Sequence, residues 1–109
     1  MTIVFANNKL RRLCEQRGAA ERTLGKAGAQ KLRTRLAELR AAQNVSELIA
    51  GSPHPLRGEY SDLFALRLDG GRRIVFSALP QDAPWMEIRS IDWSRVNAVQ
   101  IVFIGDYHD

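Results

Sequence analysis

Residues Ala98-Val-Gln-Ile-Val-Phe-Ile-Gly-Asp-Tyr-His-Asp109 decide how the rest of the sequence is arranged. The stretch opens with β-branched and aromatic side chains, which favour a buried strand. Gly105 is expected to stop the pairing of that strand. Asp106, Tyr107 and His108 follow, so three side chains suited to proton chemistry are tethered to a rigid sheet. We therefore expect this junction of strand and tail to form one half of an active site.

The composition is that of an ordinary globular domain. The 109 residues are 45% hydrophobic and 26% charged, which predicts one domain, residues 1–109, with a modest core. No apolar run approaches the roughly 20 residues that span a membrane, and the first residues lack the basic segment of a signal peptide. The single cysteine excludes an intrachain disulfide. We therefore expect a cytoplasmic protein.

Positive charge is concentrated in the first part of the chain. Residues 1–40 carry ten Lys and Arg against three Asp and Glu, a net charge of +7. Residues 41–109 carry six against nine, a net charge of −3. A basic half on a small protein indicates an anionic partner, most often nucleic acid. The alternative is a solvated helix surface with no partner.

Two amphipathic helices are predicted in this basic half. The first runs from Lys9 to Arg17, with Asn7 or Asn8 as its N-cap and Gly18 as its C-terminal stop. The second runs from about Leu24 to Gln43, and glycines in its first turns cost about 1 kcal/mol each relative to alanine. Three leucines form its apolar stripe, and the basic residues are spread over its other faces: Lys31, Arg33, Arg35 and Arg40.

The remainder of the sequence has the two-residue period of strands. The predicted strands are Thr2–Ala6 at the start, then Leu63–Asp69, Arg72–Ala78, a weaker Trp85–Ile91, and the last one from Ala98. Gly70-Gly71 predicts a tight hairpin. The pattern is typical of an α+β fold: a short N-terminal strand, and two helices packed on one face of a mostly antiparallel sheet of four to five strands.

Alternation also assigns side chains to the two faces of the sheet. Arg67 and Arg73 lie opposite Leu66 and Ile74, so they project away from the core-facing side. The planar guanidinium group of arginine suits phosphate. In the last strand, one face is predicted to hold Val99, Ile101 and Phe103.

These features together resemble the RelE/ParE toxin superfamily and, within it, the HigB or "killer protein" branch of bacterial type II toxin–antitoxin systems. The resemblance covers nearly the whole chain. Its sharpest parts are His54-Pro-Leu-Arg-Gly58, Arg72-Arg-Ile-Val-Phe76 and Asp106-Tyr-His108. The stretch from Leu79 to Asn97 departs from the family, because it is longer than in the most compact members.

The resemblance implies a RelE-like fold and a ribosome-dependent mRNA interferase, an endoribonuclease that cuts mRNA in the ribosomal A site. It implies an antitoxin partner, usually a helix-turn-helix protein of the HigA type, besides the ribosome and mRNA, and no membrane, metal or small-molecule cofactor. The family positions used for cleavage match His54, Asp106, Tyr107 and His108. Arg57 stands where many members have a lysine, and Arg73 matches a sheet arginine.

Metal-free RNA cleavage needs a base for the 2′-OH proton, positive charge for the phosphorane, and an acid for the 5′-oxygen. The chain has two histidines, His54 in a proline-flanked loop and His108 in the tail. If the loop and the tail converge on one sheet edge, they form an acid–base pair beside Arg67 and Arg73. Tyr107 is suited to stacking on a base or to donating a proton.

Each of these residues also has a purely structural interpretation. His54 is then a solvated loop residue, His108 a frayed end, Arg73 a guard against strand aggregation, and Tyr107 a cap on the core. Cys14 is interpreted as a core residue and not as a nucleophile, and Trp85 and Trp93 as packing residues. Two other functions also stay open: a ParE-like poison of DNA gyrase, and an inactive module that binds nucleic acid or protein.

Overall fold

Two helices and five strands make up the part of the chain that the computed structural model describes, residues 1–79 and 91–106. The elements are β1 Thr2–Phe5, α1 Asn8–Glu15, α2 Arg17–Ala41, β2 His54–Pro55, β3 Leu63–Arg67, β4 Arg72–Ala78 and β5 Ala98–Asp106. Between these elements lie single 3₁₀ turns at Val45–Glu47, Gly58–Tyr60 and Trp93–Arg95. The strand predicted from Trp85 lies outside the described residues up to position 90, and Ile91 is not in a strand.

The five strands form one mixed sheet in the order β1-β5-β4-β3-β2. β1 runs parallel to β5, and the other neighbours are antiparallel. Both helices pack on one face, so the predicted α+β fold is confirmed. The prediction missed β2, because a two-residue strand ending in proline has no periodic signal.

The core lies between the helices and the facing side of the sheet. Leucines of α2 pack against alternate residues of the central strands, and burial of each such side chain contributes about 1.5–3 kcal/mol. The fully buried members include Leu32, Leu36, Leu39, Leu66, Ile74, Phe76, Val99 and Ile101. These buried residues confirm the predicted inward faces of α2, β3 and β4.

A β-bulge changes the predicted faces of β5. Phe76 pairs with Ile101 but Val75 pairs with Phe103, so Val102 is an extra residue on β5. Phe103 therefore lies on the face away from the helices and is 38% exposed. The prediction that Phe103 shares a face with Ile101 is wrong, because strict alternation does not hold across a bulge.

Gly105 does not end the pairing of β5. It pairs with Arg73, and Asp106 pairs with Arg72, so the strand continues to the last described residue. The prediction of a stop at Gly105 is wrong. The ladder of backbone hydrogen bonds with β4 outweighs the weak strand propensity of one glycine.

The boundary between the helices also differs from the prediction. α1 ends at Glu15, because Gln16 has extended backbone, and α2 begins at once at Arg17. Gly18 thus lies inside α2 and is not a stop. The N-cap is confirmed at Asn7, whose Oδ1 accepts a 2.9 Å hydrogen bond from the backbone N–H of Leu10.

No helix in the described residues is long and apolar enough to cross a membrane.

Gly25 breaks α2 into two segments. Its φ of 77° and ψ of 171° are open essentially only to glycine. The carbonyl of Leu24 at this break accepts a 2.7 Å hydrogen bond from Arg72 Nη1. Gly28 makes room for that guanidinium, since a Cβ on Gly28 would lie 2.8 Å from the same nitrogen. The break in the helix is therefore bound to the first residue of β4.

Arg35 is buried, contrary to its predicted place on the polar faces of α2. Its side chain donates from Nε to the carbonyl of Arg67 at 3.1 Å and from Nη1 to Glu38 at 2.8 Å. Only 9% of the residue is exposed. Charge alone indicated a solvated residue, but the carbonyl at the end of β3 provides a buried acceptor for it.

The predicted turns are largely confirmed. The hairpin at Gly70-Gly71 joins β3 to β4, and Asp92 accepts from the N–H of Ser94 at the turn before β5. At the turn Val45–Glu47, Glu47 accepts from the N–H of Gln43 at 3.0 Å, and Asn44 makes no side-chain cap.

Two glycines of α2 give a matched stability test. Gly25→Ala should lower the free energy of unfolding by about 1–3 kcal/mol, because alanine is strained at this backbone conformation while no atom lies within 4 Å of its Cβ. Gly18→Ala is the control and should raise it by about 0.5 kcal/mol through helix propensity. Urea unfolding measures both. Equal stability of parent and Gly25→Ala would show that the helix is continuous.

Candidate active site

The sheet face away from α1 and α2, termed the helix-free face, carries a row of paired residues. His54 pairs with Ala65, Ala65 with Val75, and Val75 with Phe103. Residues paired directly across antiparallel strands point to the same side. His54 therefore shares this face with Phe103, and the row runs across four strands.

A second row on the same face carries positive charge. Arg67 pairs with Arg73, and Arg73 with Gly105. This cationic row lies two residues along the strands from the His54 row, a spacing of about 7 Å. The predicted placement of Arg67 and Arg73 away from the core is confirmed by this register. Arg73 Nη1 donates a 2.7 Å hydrogen bond to the carbonyl of Gly71, which anchors its side chain at the hairpin.

The loop before β2 holds the imidazole of His54 in one orientation. Nδ1 lies 2.7 Å from the carbonyl oxygen of Ser52. Since that oxygen can only accept, Nδ1 must carry the proton, and the neutral ring keeps its lone pair on Nε2. Gly51 and Ser52 have φ values of 86° and 49°, which bend the loop into this position. His54 is exposed, so Nε2 is accessible to a ligand.

An open groove of about 960 Å³ borders the His54 row. Its floor is apolar, and the 3₁₀ turn Gly58–Tyr60 forms one wall. The lining residues are His54, Pro55, Leu56, Arg57, Gly58, Glu59, Tyr60, Leu63, Val75, Val102 and Phe103. The predicted residues His54 and Arg57 are thus brought together at this groove.

The carboxylate of Asp106 is not on the face of His54. Asp106 pairs with Arg72, whose side chain reaches α2, and a Cβ on Gly71 would lie 2.8 Å from Asp106 Oδ1. The carboxylate therefore sits beside the hairpin on the helix side of the sheet. Direct orientation of His54 by Asp106 does not fit this placement.

The predicted meeting of the loop and the tail stays a prediction, because Tyr107 and His108 lie outside the described residues. β2 is an edge strand, and β3 and β4 separate it from β5. Three strand spacings and three residues of offset place the Cα atoms of His54 and Asp106 about 17 Å apart. Two further residues span at most about 7 Å. The tail is therefore long enough for His108 to share a site with His54 across a bound phosphate, and this stays a prediction.

Cys14 has no role in this site. It packs against the core from α1, and burial, above the opposing effect of Arg40, raises the pKa of its thiol to about 12. Such a thiol supplies little thiolate, which supports its interpretation as a core residue. Trp93 packs on Phe64 with ring centroids 4.9 Å apart, as predicted, and Trp85 lies outside the described residues. Residues 1–79 and 91–106 contain no cluster of three potential metal ligands.

Sequence reasoning missed the aromatic residues of the groove. Alternation predicts Phe103 on the same face as Ile101, because a bulge is not visible in the sequence of one strand. Tyr60 follows Gly58 in a stretch without periodicity, so it had no predicted place. The available signal was a tyrosine in a loop segment rich in glycine and charged residues, where an aromatic ring is more often used for binding than for packing. In the structure Tyr60 is exposed.

Comparison with solved structures identifies the fold. A chain of the YoeB–YefM complex from Staphylococcus aureus superposes with a TM-score of 0.60, covering 100% of this chain and 98% of that one at 14% identity. The two chains therefore share one α+β fold, which is RelE-like. At this identity the likeness shows the fold alone. No protein-family model and no curated protein matches the sequence.

The orientation of His54 gives a prediction for the folded protein. At a pH where the ring is neutral, long-range ¹H–¹⁵N NMR should show the Nδ1–H tautomer, because the Ser52 carbonyl accepts that proton. A His108→Gln variant assigns the signals of the two histidines. The same protein in urea is the control and should lose the preference. A predominant Nε2–H tautomer in the folded protein would contradict the geometry.

Proposed function

We propose that this chain is the toxin of a type II toxin–antitoxin system and cleaves mRNA on the ribosome in the cytoplasm. The observation that carries the proposal is the helix-free face, where His54 stands beside a row of arginines on a RelE-like fold. The terminal Asp106-Tyr-His108 motif supports the HigB-like branch within that superfamily.

The proposed reaction uses the side chains of both regions. His54 Nε2 takes the proton of the 2′-OH, and the freed oxygen attacks the neighbouring phosphorus. Arg73 and Arg67 stabilise the negative charge of the phosphorane, and Arg57 at the groove binds an adjoining phosphate. As the bond from phosphorus to the 5′-oxygen breaks, His108 protonates that oxygen. Tyr107 stacks on a base next to the scissile bond.

Asp106 has a different part in this proposal. Its carboxylate lies beside the hairpin and Arg72, so we place it as an anchor for the start of the tail and not as a partner of His54. The residues of the tail then extend from a strand that is paired with β4 as far as Asp106. This arrangement supports a tethered His108.

The proposed partners follow from charge and from the structural neighbour. The neighbour is a complex of YoeB with YefM, which supports an antitoxin partner for this chain, and the sequence resemblance favours a helix-turn-helix antitoxin of the HigA type. The basic helices α1 and α2 bind ribosomal RNA on the opposite side of the molecule from the mRNA. Ribosome binding should therefore weaken steeply with salt.

Toxicity of paired histidine variants tests the proposal. Induction of the parent without antitoxin should stop growth and produce new mRNA 5′ ends. His54→Ala and His108→Ala should each reduce cleavage about 10²–10⁴-fold, the usual contribution of general acid–base catalysis. Ser46→Ala, on an exposed position of the turn Val45–Glu47 and outside the groove lining, is the control for expression and should remain toxic.

The same experiment separates the other functions. Growth arrest with intact mRNA and a DNA-damage response would identify a ParE-like gyrase poison. Normal growth at confirmed expression would identify an inactive binding module. Full toxicity of both histidine variants would contradict acid–base cleavage by these residues.

A further inference from the structure

The groove beside His54 is lined by apolar and aromatic residues that have no role in acid–base catalysis. Leu63, Val75 and Val102 line it with apolar surface, and Tyr60 and Phe103 add two aromatic rings. Tyr60 is 53% exposed and Phe103 is 38% exposed. Both rings are thus accessible from solvent on a side of the sheet that no helix of residues 1–79 and 91–106 covers. Apolar surface of this kind beside charged groups marks a binding site.

The register gives the groove a fixed position relative to the cationic row. Arg73 is one paired row to one side of His54, and Leu63, which pairs with Ser77, is one row to the other side. A phosphate held between His54 and Arg73 therefore has the apolar groove on its far side. A nucleotide has this same order of parts, with an anionic phosphate at one end and, at the other, a flat aromatic base whose faces make apolar contacts.

Tyr60 is placed to form a stacking surface. It ends the turn Gly58–Tyr60, in which its N–H donates to the carbonyl of Arg57 at 3.3 Å and the N–H of Ser61 donates to that of Gly58 at 3.2 Å. The turn therefore has a defined backbone while its side chains reach the groove. Aromatic side chains bind single-stranded bases without sequence readout, because each base has a π-face.

We propose that the groove binds a nucleobase of single-stranded RNA, next to the cleaved phosphate, with Tyr60 stacked on the ring. This inference rests on the proposed function and names the part of the site that holds the substrate. An apolar peptide segment is the other class of occupant for such a groove. The guanidinium group of Arg57 at the rim, with Arg67 and Arg73 in the next row, favours a ligand that carries phosphates.

Binding of an uncleavable trinucleotide tests this inference independently of catalysis. The probes are a 2′-O-methyl RNA trinucleotide and its abasic counterpart, which has the same charge but no bases. The parent should bind the trinucleotide at least about fivefold more tightly than the abasic probe. Tyr60→Ala should remove that difference, and Tyr60→Phe should keep it because the ring remains. Ile49→Ala, at an exposed apolar residue outside the groove lining, is the control.

The possible outcomes separate base binding in the groove from RNA cleavage by the protein. Equal affinity for both probes in the parent, or an unchanged preference in Tyr60→Ala, would overturn base binding in the groove while RNA cleavage still stands. Failure of both probes to bind would overturn the inference together with the RNA-binding function proposed above. A base preference that depends on Tyr60 in a protein that does not cleave mRNA would support the groove and reject the nuclease.

Discussion

The packing of α2 against one side of the sheet is the constraint on which the rest of the structure depends. Leu32, Leu36 and Leu39 are fully buried in the core cluster that also holds residues of β4 and β5. Two arginines reinforce the contact, Arg35 to the end of β3 and Arg72 to the break in α2. Because most of the core lies on this side, the other face of the sheet can carry cationic and aromatic residues.

The β-bulge in β5 determines what that other face carries. In a regular strand Val102 would pair with Val75, and Phe103 would point into the core beside Ile101. With the bulge, Phe103 lies in the row of His54, and Gly105 lies beside Arg73. The approach is close, since a Cβ on Gly105 would lie 3.1 Å from the ring of Phe103, which would have to shift to admit it. Bulges are frequent next to active sites because they redirect side chains in this way.

Much of the fold was predictable, because regular alternation and leucine spacing reflect burial directly. The bounds of β4 and the hairpin at Gly70-Gly71 are examples. The errors fall where a partner outside the local sequence decides the outcome. Arg35 is buried because β3 offers it a carbonyl, and Phe103 turns outward because β4 pairs around a bulge. The edge strand at His54 forms only because Ala65 pairs with it.

The same distinction applies to the candidate site. Residue type and alternation placed Arg67 and Arg73 on the outward face, but only the register shows that they lie one row from His54. The side of the sheet taken by Asp106 depends on its pairing with Arg72, which no local pattern reports. Tyr60 had no periodic context, although it is the most exposed aromatic ring of the groove. The residue types were enough to predict acid–base chemistry and phosphate binding. The relative positions of the side chains could be found only from the pairing of the strands.

The central claim is that RNA binds on the helix-free face. Methyl NMR of the protein titrated with a 2′-O-methyl RNA oligonucleotide tests it most directly, because leucine and valine methyls report on both sides of the sheet. We expect large changes in the methyl chemical shifts of Leu63, Val75 and Val102 and small changes for Leu32 and Leu36. Shifts confined to the helix side, with the three groove methyls unchanged, would contradict it.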